Sequence, residues 1–360
     1  MAPAEPLLST RAQRAFIGTI VLQAIVVLVM VSITFRFVQE DHTVDLKHST
    51  YRTIPCYLAL FILAELFELF MALDALRLRN VIQLIGILCF QAAMIVMASL
   101  QIHETHTALV NTIDSRTPVS ILAIPRFGYD GPRLWHKVEP FLIVSPIMIG
   151  LSWFALMYFF RVLYHEFGWA IFHVVGANPA MKTMYQYYQI MICLLKFDFF
   201  AFIGVSMQLL IVVLQDSSAE FGLTIAAIPI VLLLLAMAGT AVQREIKSVM
   251  AFSLVLMLAA QVYLYKLVRF YEPSSESAYI STRATLTVFT VVSSLLLFAT
   301  FGVGVRCFAD FDKGLHSSKN HGQYYKPVAT QLRENLFGES SDSKAPYSAG
   351  TPMEPRISIE

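Results

Sequence analysis

Eight long apolar stretches recur along the chain, at roughly 15–37, 54–76, 81–101, 140–161, 188–214, 222–242, 248–268 and 284–306. A helix needs ~20 such residues to cross the ~30 Å hydrocarbon core of a bilayer. The pattern therefore predicts an all-α, polytopic transmembrane helix bundle of eight spans. The first, third, sixth and eighth stretches carry no formal charge in their cores, whereas the second and fifth do. The fifth is also longer than a crossing requires, which leaves room for tilt. The chain divides into a short N-terminus (1–14), the bundle (15–306) and a tail (307–360).

Between the spans the pattern changes. The segment 38–53 is short and charged, and 102–139 is the longest connection. That connection holds Pro118, Pro125, Pro132, Gly128 and Gly131, with Ile121, Leu122, Ile124, Phe127 and Trp135 among them, and reads as a loop lying on the membrane surface. Residues 162–175 read as a helical continuation of the fourth span or an interfacial helix, ended by Gly176-Ala177-Asn178-Pro179. From about 309 the chain is rich in Ser, Lys, Pro and Gly, a composition that cannot bury a core and predicts disorder. The spans pair poorly in length and polarity, so no internal repeat is visible.

Composition agrees with the pattern. The chain is 57% hydrophobic and 14% charged, with mean hydropathy +0.63. Soluble domains carry about 25% charge, so this apolar surface is meant for lipid, and the bilayer is the expected partner. A net charge of +1 gives no field for nucleic acid. The first apolar run follows Arg11 and Arg14, outlasts the ~7–15-residue core of a signal peptide and has no cleavage site, so it reads as a retained anchor. Cys56, Cys89, Cys193 and Cys307 all sit in or beside apolar segments, which predicts no disulfide. Cys307, next to Arg306, is a candidate for palmitoylation, although an inert buried role suits it better. No Asn-x-Ser/Thr sequon occurs.

Charge also orients the bundle. The N-terminus, even-numbered connections and tail hold 15 Lys and Arg, and the odd-numbered connections hold 10. The basic side faces the cytoplasm in polytopic proteins, so both termini are expected to be cytoplasmic.

Ionisable residues inside a span are the leading candidates for function, because each is expensive unless paired. Glu65 and Glu68 lie three apart, on one face of the second span. Asp74 points away from Glu65 and is expected to pair with Arg77. Lys196 and Asp198 lie two apart on the fifth span and diverge by about 200°. Matching depths suggests a Glu68–Lys196 ion pair. Gln83, Gln91, Gln189, Gln208 and Gln261 could complete a polar network. With all four ionised, Glu65, Glu68, Lys196 and Asp198 sum to −2, which a low-dielectric site resists, so Glu65 is expected to hold a proton. Such a network supports proton-coupled transport, or serves as interhelical glue. A polar cavity reaching Glu65, Glu68 or Lys196 separates the two readings.

Weaker motifs remain. His103-Glu104-Thr105-His106 has metal-ligand spacing, but reads better as a solvated interface, so no metal is expected. His165-Glu166 lacks the second His of a zincin motif. No nucleophile elbow, P-loop or dinucleotide fingerprint is present, so neither cofactor nor enzyme activity is expected. Tyr325-Lys326-Pro327-Val328 matches a sorting motif, Tyr325 and Val328 being the residues that cytoplasmic adaptor or coat proteins would read. Ser340, Ser341 and Ser343 form a candidate phosphorylation cluster.

Several runs resemble an uncharacterised fungal family of Golgi apparatus multi-pass membrane proteins. They are Glu166-Phe167-Gly168-Trp169, Gly176-Ala177, Met181, Tyr185, Tyr188-Gln189-Ile190 and Leu194 to Phe200. Asp74-Ala75-Leu76-Arg77, Asn80, Ile82-Gln83 and Ile85-Gly86 are similar too. Asn178-Pro179 and His173 depart from the family pattern. The resemblance spans about 15–310 and implies a Golgi location, but no activity and no catalytic residues. Together the readings leave a small-solute or proton-coupled transporter beside a non-enzymatic trafficking or scaffold factor with an adaptor-binding tail.

Overall fold

The computed structural model describes residues 10–40, 53–107, 109, 131–175, 179–213, 218–267 and 283–311. Eight long helices carry them: α1 (Arg11–Glu40), α2 (Thr53–Leu78), α3 (Val81–His106), α4 (Gly131–Val175), α5 (Pro179–Gln208), α6 (Ser218–Arg244), α7 (Lys247–Leu267) and α8 (Arg283–Asp310). A short π-helical turn, Leu209–Val213, continues α5. All eight are long and apolar enough to cross a membrane. With eight crossings, the start of α1 and the end of α8 lie on the same side, called here the N-terminal face.

Every helix outruns its predicted apolar stretch at one end or both, and two of these differences reassign residues. Gly131, Pro132 and Trp135 belong to α4, which runs unbroken for 45 residues, and not to a surface loop. Proline in a first turn forfeits only an N–H that would lack a helical partner anyway. Trp135 is buried and meets the His106 ring at 4.7 Å. At the other end, α8 continues past 306 to Asp310, so the first residues assigned to the tail are helical. Beyond Phe311 the tail lies outside the described residues.

Two hairpin turns are made by two residues each. At the first, Arg79 takes φ 50°, Arg79 N donates to Leu76 O (3.4 Å) and Asn80 N donates to Ala75 O (3.0 Å). This is a Schellman closure, which satisfies the last carbonyls of α2. Asn80 then caps α3, its side chain accepting from Ile82 N (3.0 Å) and Gln83 N (3.3 Å). Glu245 (φ 55°) and the Ile246 N to Ala241 O bond (3.0 Å) repeat the device between α6 and α7.

The helices pack as two rings of four. In α1–α4 each helix contacts the next and α1 closes on α4, and α5–α8 do the same in the same order. No repeat of length or polarity along the chain announces this likeness. Within the first ring, α1 buries Phe16, Ile20, Gln23, Val27, Val31, Thr34 and Val38. Opposite, α4 buries Leu142, Ser145, Ile149, Ser152, Leu156 and Leu163. Both rows step by three and four residues, the α4 row missing one step between Leu156 and Leu163, which is the spacing of a coiled-coil seam. The rings meet where α2 and α3 touch α5. There Phe200 stacks on Phe67 (4.8 Å) and meets Phe90 edge-on (4.9 Å).

Candidate functional site

The α2–α3 hairpin carries polar residues at three depths, and each set ties in a different third helix. Glu104, Gln91 and Gln83 follow one another along α3 as Tyr57, Glu68 and Asp74 do along α2. On α2 Tyr57 and Glu68 are about 16 Å apart and Glu68 and Asp74 about 9 Å, at ~1.5 Å per residue. The third helix is α8 at the far face, α1 at mid-depth and α5 near the N-terminal face.

At mid-depth, Gln23 of α1 reaches both acids. Its Nε2 lies 3.3 Å from Glu65 Oε1 and Oε2 and 3.2 Å from Glu68 Oε2. Gln91 Nε2 donates to Glu68 Oε1 (2.7 Å) and to Gln23 Oε1 (2.6 Å). All four side chains are at most 1% exposed. Among the described residues, neither Glu65 nor Glu68 forms an ion pair, and Gln91 Oε1 has no hydrogen-bond partner.

Near the N-terminal face, Lys196 pairs with Asp74 and donates to Gln83 Oε1 at 3.2 Å. Gln83 Nε2 donates in turn to Asp74 Oδ2 (3.1 Å) and to the Met71 carbonyl (2.9 Å). This replaces two expectations. Lys196 is not paired with Glu68, and Asp74 meets Lys196 on another helix rather than Arg77 one turn away. The reason is the length of lysine: four methylenes let the ammonium sit well away from the depth of its own backbone. Depth counted from Cα positions therefore assigned the wrong acid.

At the far face, Glu104 accepts from the Tyr57 hydroxyl (2.5 Å), the Thr285 backbone N–H (2.9 Å) and the Thr285 hydroxyl (2.8 Å). Tyr57 and Thr285 also share a hydrogen bond. A carboxylate here caps the first turn of α8, where backbone N–H groups lack helical partners and the dipole favours negative charge. Glu104 is thus buried structure and not part of a solvated interface, although His103 beside it is exposed. Among the described residues no cluster of His, Cys, Asp or Glu has the makings of a metal site.

The other candidates are scattered. Asp198 accepts from Thr300 of α8 at 2.5 Å. Gln189 is buried, one turn from Tyr185 on the same helix. Gln261 bonds Ser294 across α7 and α8. Gln208 is buried with neither amide atom bonded among the described residues. Glu166 accepts from Gln13 (2.7 Å) and Thr10 (3.3 Å), fastening α4 to α1 at the N-terminal face. Cys307 is buried beside Tyr187, Tyr188 and Val242, away from the open juxtamembrane surface that acylation needs. Tyr325, Val328 and the serine cluster lie outside the described residues.

The network predicted as one is therefore several. Gln23, Tyr57, Thr285 and Thr300 were missed. Gln23 alone left a signal, as an amide in the middle of a span that carries no formal charge. Hollows of about 580 Å³ and 510 Å³ open on the bundle, and neither is lined by Glu65, Glu68 or Lys196.

No family model matches the chain, and no solved structure matches it. It is 30% identical over 294 residues to a UPF0658 Golgi apparatus membrane protein of Schizosaccharomyces pombe, an alignment covering 77% of this chain and 81% of that protein.

Proposed function

This chain belongs to the UPF0658 family of Golgi apparatus membrane proteins, and from that premise we propose that it is a non-enzymatic trafficking or scaffold factor of the Golgi membrane. Its termini face the cytoplasm, as the Lys and Arg distribution favours. Its tail engages adaptor or coat proteins through Tyr325 and Val328. The observation that carries this reading is the closure of Gln23, Glu65, Glu68 and Gln91 on one another, at most 1% exposed. Polar groups that bond one another across helices in this way act as fasteners. The test is Tyr325→Ala in the full chain, which should move the protein out of the Golgi while leaving its melting temperature unchanged. Retention in the Golgi with all partners bound would sink the adaptor role.

Proton-coupled transport is the second reading, and the same acids favour it. Two buried carboxyls that meet only amides repel each other, and sharing one proton relieves that repulsion. Proteoliposomes containing the full chain and a pH-sensitive dye decide between the readings. The scaffold reading expects no proton flux above empty vesicles. A flux that Glu65→Gln/Glu68→Gln abolishes, with folding and location intact, would establish transport instead.

A further inference from the structure

The larger hollow lies between α3, α5 and α8 and measures about 580 Å³. Gly86 and Ala93 of α3, Leu194 and Ala201 of α5, and Val292 and Leu296 of α8 are among its walls. Along α3 the lining runs from Ile82 to Met97, about 22 Å at ~1.5 Å per residue. That exceeds the ~15 Å depth of one leaflet's hydrocarbon.

Tight contacts near its two ends hold the hollow open. At Gly86 the backbone of α3 already meets α5, since a Cβ there would sit 2.8 Å from the Phe197 ring. At Gly204, α5 meets α8 in the same way, a Cβ there falling 2.5 Å from the Phe289 ring. Its floor includes Phe90 and Phe200, in edge-on contact with each other. The helices therefore cannot close over the space, and an empty hollow would forfeit the dispersion contacts of its whole lining.

We propose that this groove is a binding site for one hydrocarbon chain of a membrane lipid. The groove is continuous with the bilayer-facing surface of the spans: Ile85, Val96 and Val292, at its rim, are each about half exposed. Its lining is hydrocarbon and sulfur side chains throughout, with no polar side chain to recognise a headgroup. Its size falls within the ~300–1,000 Å³ of small-molecule pockets. A helix from a second copy, ~10 Å across and ~30 Å long, displaces on the order of 2,000 Å³ and does not fit inside. The inference does not depend on the scaffold or transport readings.

The test uses the full chain in phosphatidylcholine vesicles doped with a phosphatidylcholine that carries a diazirine in mid-chain. After irradiation, crosslinked peptides are mapped by mass spectrometry. Crosslinks should concentrate on 82–97, 190–201 and 288–296, several-fold above the outward positions Phe154 and Val255, which are themselves exposed. Ala93→Phe fills the groove from its open side and should remove most of that excess while leaving the outward crosslinks unchanged. Cys89→Phe should do the same. Should either variant fail to fold, the wild-type map still decides the matter. Equal yields at groove and outward positions, or a groove signal untouched by both substitutions, would each overturn the proposal.

Discussion

Lys196 on α5 closes on Asp74 of α2, with the side chains 19% and 22% exposed. Breaking a fully buried pair from one side costs about 3–5 kcal/mol, and partial exposure lowers this. Asp74→Asn should therefore destabilise the bundle by about 1–3 kcal/mol. Thermal unfolding in detergent measures the loss. Asp74→Asn combined with Lys196→Gln should cost clearly less than the sum of the two single changes, because neither charge is then stranded. Glu68→Gln with Lys196→Gln should add. Identical additivity in both cycles would mean that Lys196 has no preference for Asp74.

Gln23 brings its amide to two buried acids. Gln23→Leu leaves them without it and should cost about 1–3 kcal/mol, the penalty for stranding buried polar groups. Adding Glu65→Gln and Glu68→Gln should recover much of that loss, since the carboxylates are gone. A Gln23→Leu melting temperature equal to wild type would show that the amide contributes nothing at mid-depth.

Glu104 caps α8 across the bundle through the Thr285 N–H. Glu104→Leu removes the acceptor and should loosen the first turn of α8 ahead of the rest. Hydrogen exchange of the amides near Thr285 should then speed up by about tenfold or more, matching a loss of about 1.4 kcal/mol or more at that site. Exchange there at the wild-type rate would place the anchoring of α8 elsewhere.

Gly204 lets α5 approach the Phe289 ring, where a Cβ would fall 2.5 Å from Cε1. Gly204→Ala should cost about 1–3 kcal/mol through overpacking. Phe289→Leu should relieve part of that strain in the double variant, read as a partial return of the melting temperature. Full tolerance of Gly204→Ala on its own would mean that α5 and α8 are free to separate.

The sequence by itself determined that eight helices cross a bilayer. Crossing is a property of each segment's own length and polarity, and all eight predicted spans fall on long apolar helices. It also marked Glu65, Glu68, Gln83, Gln91 and Lys196 as polar residues that need partners, because isolated charge in lipid is expensive wherever it occurs. Which partner each finds was decided only by the tertiary structure. Gln23 meets Glu68 because α1 packs against α2. Glu104 meets Thr285 because α8 begins beside the end of α3. Lys196 passes over Glu68 for Asp74 because its long side chain reaches to another depth. These choices depend on rotation, tilt and side-chain reach, which a linear pattern of apolar and polar positions does not encode.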